Sequence, residues 1–218
     1  MVNNKAEIEG HSIVLVGDFN TKIFQPAWFG REKLIQKSEE NQAKIEIIHP
    51  EVVSFESNWL NIRVTRERFK VSTTQASFYE SLRDLVLGTF LLLRHTPIRM
   101  MGINYDMHFR MDSVEQWHSF GNLLTPKELW DGILNKPGMR SLTMESVRPD
   151  GFKGYIRVSV EPSIKVEPGV YFFVNDHFEV GNSEKSIGID EIIDILQNHW
   201  VTSTERSKSI IESLLEKA

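Results

Sequence analysis

The chain contains no cysteine. That absence removes disulfides, thiolate zinc sites and cysteine nucleophiles, and it fits a reducing compartment such as the cytoplasm. No long apolar run occurs either. The longest, around Leu85–Leu93, falls far short of the roughly 20 residues needed to span a bilayer and reads as a buried helix. The first ten residues, Met1 to Gly10, lack the apolar centre of a secretory signal, so no membrane association is expected. Positive charge is scarce as well. The sequence holds 25 Lys and Arg against 30 Asp and Glu, a net charge of −5. Up to Pro97 there are 12 of each sign, leaving 13 basic and 18 acidic residues to the remainder. Phosphate neutralisation drives non-specific nucleic-acid binding, so this balance disfavours that function while leaving room for a local basic patch. Phosphate-binding glycine loops and nucleophile elbows are also missing. Val16-Gly17-Asp18 is a lone Gly-Asp at a strand end, and Pro149-Asp150-Gly151 sits between strands as a hairpin turn.

What is present is a dense alternation of strands and helices. Ser12–Phe19 is β-branched and apolar, a first strand. Pro26 stands where a helix begins, with Trp28, Phe29, Leu34 and Ile35 as its apolar stripe. Four short strands follow, at Ala43–Ile48, Val52–Glu56, Trp59–Thr65 and Arg68–Thr73, with connections so brief that they must be antiparallel neighbours. Phe78, Leu82, Leu85, Val86, Phe90 and Leu93 recur at helical spacing, and Pro97 closes that helix. A long strand covers Ile98–Met111. Asp112-Ser113 caps a helix over Val114–Leu124, and Thr125-Pro126 opens a short one to Leu134. Strands follow at Met139–Val147, Tyr155–Glu161 and Val170–Val180, the last ending at Gly181-Asn182. Helices over Ile189–His199 and Thr204–Leu215 finish the chain. Trp28, Trp117 and Trp130 fall on helices and are expected in the core.

This order divides the chain, residues 1–218, into halves at about 1–97 and 98–218. The first reads β-α-ββββ-α and the second β-αα-βββ-α. Pro26-Ala-Trp-Phe-Gly-Arg-Glu-Lys-Leu-Ile also echoes Pro126-Lys-Glu-Leu-Trp-Asp-Gly-Ile-Leu. The expected fold class is α+β: a single domain of two pseudo-repeated β-α-β(3-4)-α halves that form one curved antiparallel sheet with helices on one face. Strand, helix, four strands, helix, then the series again, resembles the TATA-binding-protein-like architecture. That likeness rests on element order over nearly the whole chain and implies a continuous saddle with an open concave side. No DNA-contacting motif of the family is present, so no functional residue follows from it. Thr96-Pro-Ile-Arg-Met-Met-Gly-Ile-Asn-Tyr105 is similar to an uncharacterised, sporadically distributed bacterial protein family, which implies a bacterial cytoplasmic protein.

Strand alternation sorts the side chains into two faces. Leu60, Ile62, Val64, Phe69 and Val71 are expected under the helices, with Ile103, Tyr105, Met107, Phe109, Ile156, Val158, Val160, Val170, Phe172, Val174 and Phe178. The open face then carries Trp59, Asn61, Arg63, Arg68, Lys70, Asn104, Asp106, His108, Arg110, Tyr155, Arg157, Tyr171, Phe173, Asn175, His177 and Glu179. Aromatic side chains beside arginine are common where proteins recognise one another and also suit stacking on bases. The leading expectation is a non-enzymatic binding module that recognises a protein partner through Trp59, Arg63, Arg68, Lys70, His108, Arg110, Tyr155, Arg157, Tyr171, Phe173 and His177. A nucleic-acid-binding saddle using the basic and aromatic members is the first alternative. A metal-assisted or acid–base enzyme around His108 and His177 is the second, although no catalytic or metal-ligating set is assigned and no cofactor is expected. The sequence leaves the oligomeric state open.

Overall fold

The structure is a computed structural model that describes residues 5–181 and 188–217. Asn182, placed at the last strand's end by sequence, and Met1 to Asn4 of the amino-terminal stretch lie outside the described residues. The protein is an α+β fold whose described residues form one nine-stranded antiparallel sheet. In chain order the strands are β1 (Ile8–Gly17), β2 (Lys44–His49), β3 (Val52–Glu56), β4 (Asn61–Thr65), β5 (Arg68–Thr73), β6 (Ile98–Arg110), β7 (Leu142–Val147), β8 (Gly154–Pro162) and β9 (Gly169–Glu179). Their order across the sheet is β2-β3-β4-β5-β1-β6-β9-β8-β7. The long central pair β1–β6 runs from Ile8 opposite His108 to Gly17 opposite Ile98.

The helices are α1 (Pro26–Arg31), α2 (Lys37–Gln42), α3 (Tyr79–Leu92), α4 (Val114–Leu124), α5 (Ile189–Asp194) and α6 (Trp200–Leu215). Proline at the first position of α1 loses nothing by lacking an N–H there. The helix expected over the whole apolar stripe stops at Arg31, because Lys33 adopts φ 58°, and Leu34 and Ile35 fall in the connection before α2. Ser113 caps α4 by accepting the Gln116 N–H at 3.1 Å. The helix expected from Thr125 to Leu134 shrinks to a single 3₁₀ turn over Lys127–Trp130. Leu129, Ile133 and Leu134 stay exposed there, so no apolar burial supports further turns. Trp130, expected in the core, is also exposed, whereas Trp28 and Trp117 are half-buried against it. The two final helices are joined through a π-helical segment, Ile195–His199, which carries the chain from α5 into α6 and leaves Trp200 buried.

One hydrophobic cluster lies between the sheet and these helices. Phe29 of α1 meets Phe55, Phe90 of α3 meets Phe69, Phe120 of α4 meets Phe172, and Trp200 of α6 meets His11. All four sheet residues point to the same side, as the register requires. The side chains assigned to the helix-facing layer from alternation all lie on this side. Among the described residues no helix packs on the other side, and no helix is long and apolar enough to cross a membrane.

A buried ionic network pins the β7–β8 turn to the carboxy-terminal helix. Asp176 on the helix side of β9 is fully buried and accepts from Arg148, from the Ser203 hydroxyl at 2.6 Å and from Arg206 at 3.5 Å. Arg148 also binds Asp150 at 2.7 Å and rests 3.6 Å above the Phe178 ring. Burial opposes ionisation of Asp150, but hydrogen bonds from Arg148 and Arg206 prevail and bring its carboxyl down to about 2.

Candidate functional site

The helix-free face is organised in rows, because residues paired across antiparallel strands project to the same side. One row is polar across all nine strands: Lys44, Glu56, Asn61, Ser72, Ser12, Asn104, Asn175, Arg157 and Glu145. Its two ends are ion pairs, Lys44–Glu56 at 2.9 Å and Arg157–Glu145 at 2.7 Å. Its centre is a chain of amides and a hydroxyl, in which Asn175 donates to Asn104 and Asn104 donates to Ser12 Oγ at 3.2 Å. Glycines beside this row make room for it. A Cβ at Gly102 would meet the Asn175 amide at 2.8 Å, and one at Gly10 would meet the Asp106 carboxylate at 2.8 Å.

The flanks differ in chemistry. On β4 and β5, Arg63, Arg68 and Lys70 are exposed and have no ion-pair partner among the described residues. On β8 and β9, Tyr155 stacks on His177 at 4.3 Å, Arg157 lies 4.6 Å over the Tyr155 ring, and Phe173 is half-buried. Burial lowers the His177 pKa, so its imidazole is neutral near neutral pH and stacks as an uncharged ring. At one end of the face His108 packs against Tyr171 at 4.6 Å. Burial lowers the His108 pKa, with the Lys165 charge adding to it, and burial also raises the Asp106 carboxyl. The Tyr171 phenol is pushed up to about 12 by burial, helped by Asp106 and Glu161.

Several expectations require correction. Trp59 is not on this face. It precedes β4, is buried on the helix side, stacks on Phe78 at 4.9 Å and donates its indole N–H to Glu39 at 2.5 Å. The strand begins at Asn61, two residues later than the alternation was carried, and Trp59 therefore lies outside the pleat. His108 and His177 do not converge. They lie opposite Tyr171 and Gly102, and positions 102 and 108 of β6 are six residues apart, about 20 Å along a strand. Among the described residues no group of three or more histidines and carboxylates is placed to hold a metal. Arg110 is on the face but tied to Glu7, whose carboxyl it holds below the usual range, and Arg157 is tied to Glu145. His108 is buried rather than displayed. Arg63, Arg68, Lys70, Tyr155, Tyr171, Phe173 and His177 do share the face.

Sequence reading missed Ser163 and Lys165. They belong to the β8–β9 connection, which folds back so that Ser163 Oγ meets His108 Nδ1 at 2.8 Å. No periodicity marks a loop, so only the tertiary contact brings them to the site. No family model matches the chain, and no curated protein matches it significantly.

Proposed function

We propose that this protein is a non-enzymatic binding module that recognises a protein partner through the helix-free sheet face. The observation that carries this reading is a broad sheet face that, among the described residues, bears no helix and on which Arg63, Arg68 and Lys70 have no ionic partner, while Tyr155 and Phe173 keep part of their rings exposed. Aromatic and arginine side chains supply most of the energy at protein interfaces. The basic flank suits an acidic segment of the partner, and the aromatic flank suits apolar side chains. A nucleic-acid strand is the second reading, favoured by the same three cations. It fits less well, because Asp106, Glu145, Glu161 and Glu179 interrupt any track of phosphates across the face.

The pseudo-repeat is part of this reading. Outward from the β1–β6 pair the strands run β5, β4, β3, β2 on one side and β9, β8, β7 on the other, an order that supports two related halves and a TATA-binding-protein-like saddle. The test is photocrosslinking in cells, with a photoreactive amino acid at position 68, 173 or, as a helix-side control, 92. One protein captured from positions 68 and 173 but not from 92, and unaffected by nuclease, is the expected result. No adduct, or equal capture from position 92, refutes the reading, and a nuclease-sensitive adduct replaces it with the second.

A further inference from the structure

At the His108 end of the open face lies a pocket of about 360 Å³, lined by Asp106, His108, Glu161, Ile164, Lys165 and Tyr171 among others. Its volume falls within the roughly 300–1,000 Å³ of small-molecule sites. The geometry fixes the protonation pattern of its wall. Ser163 Oγ accepts the backbone N–H groups of Lys165 at 3.1 Å and Val166 at 3.0 Å. Its own proton is therefore left for His108 Nδ1 at 2.8 Å. A neutral imidazole that accepts at Nδ1 carries its hydrogen on Nε2. That Nε2–H has no acceptor among the described residues and is not among the atoms closed off from solvent. Since His108 is otherwise buried and lines this pocket, the Nε2–H is a fixed donor on the pocket wall.

The charged groups make the pocket bipolar. Lys165 has no ion pair among the described residues and lies close enough to act on both Asp106 and His108. Asp106 and Glu161 both act on Tyr171, and neither is in an ion pair among the described residues. A plain cation would meet Lys165, and a plain anion would meet two carboxylates. A molecule carrying both charges satisfies all of them. Its ammonium would sit by Asp106 and Glu161, its carboxylate by Lys165 and the His108 Nε2–H, and an apolar tail along Ile164 and the Tyr171 ring.

We propose that this pocket binds a small zwitterion of the free α-amino-acid class with an apolar side chain. The proposal is independent of the partner-binding reading, because the ligand is a free small molecule. The test is calorimetric titration of the full chain with a panel of free α-amino acids and their N-acetyl and amide counterparts. At least one apolar amino acid should bind, and blocking either end should weaken binding by about tenfold or more, the worth of a charge-assisted hydrogen bond. Asp106→Asn and Lys165→Met should each do the same with unchanged circular dichroism. Lys165 is exposed on a loop, so its substitution reads binding even if Asp106→Asn impairs folding. No binding by any amino acid overturns the proposal, as does binding indifferent to blocked ends or to Lys165→Met.

Discussion

His11 offers a direct measure of how burial governs this fold. It sits between sheet and helices with the rings of Tyr79 at 4.7 Å, Tyr105 at 5.1 Å and Trp200 at 4.7 Å. Its Nε2 lies 3.3 Å from Thr204 Oγ1, and its Nδ1 has no partner among the described residues. Burial, reinforced by the Lys208 charge, holds its pKa down at about 3. Below about pH 6.5 the unfolded chain takes up a proton here that the folded chain refuses. Stability attributable to His11 therefore falls with pH, by about 1.4 kcal/mol per unit, until the folded imidazole titrates near pH 3. By about pH 5 the loss is about 2 kcal/mol, or a fall in Tm of roughly 4–8 °C for a chain of this size. His11→Phe removes the titration and the unpartnered nitrogen. Thr204 keeps its bond to the Trp200 carbonyl at 3.0 Å. Urea unfolding of both proteins from about pH 8 to pH 5 isolates this residue, because the other histidines are common to both. The variant should gain about 2 kcal/mol on the wild type across that range. Parallel stability curves would refute the reasoning and mean that His11 is hydrated or charged in the fold.

Other outcomes follow from the same structure. Arg148→Met should cost about 3–5 kcal/mol in urea unfolding, because it strips Asp176 of its closest cation in a buried setting. In the wild type, the depressed Asp150 carboxyl contributes stability above about pH 4 that is lost as pH falls toward 2, and this acid-range loss should shrink in the variant. Gly154→Ala should destabilise by at least about 2 kcal/mol by thermal melting, since φ is +129° and the new Cβ would stand 2.1 Å from the His177 carbonyl oxygen. Trp59→Phe should cost about 1–2 kcal/mol through the lost bond to Glu39, yet leave photocrosslinking from position 68 unchanged. The double reversal Arg63→Glu, Arg68→Glu should change stability by no more than about 0.5 kcal/mol while abolishing capture of a partner, and retained capture would remove the basic flank from the interface.

Local pattern carried the strands well. Val52–Glu56 and Arg68–Thr73 coincide with the strands read from sequence, and Val114–Leu124 coincides with the helix. Alternation also assigned Arg63, Lys70, Tyr171 and His177 to one face, because a pleated strand turns successive side chains to opposite sides whatever its neighbours are. That rule failed at Trp59, which stands outside the pleat, and the expectation that helical tryptophans are buried failed at Trp130, which found no surface to bury against.

What the sequence by itself determined is therefore one-dimensional: which segments are strands or helices, and which face of each strand is apolar. Strand order is a property of pairs distant in the chain, and only the tertiary structure decided it. With the register between neighbouring strands it separated His108 from His177, joined Asn104 to Asn175, and laid the polar row across the sheet. It also buried Asp176 with Arg148 on the apolar side, where alternation alone gives no reason for a charge. The physical reason is that side-chain period follows from local backbone geometry, whereas register and burial depend on which long-range contacts give the lowest free energy for the whole chain.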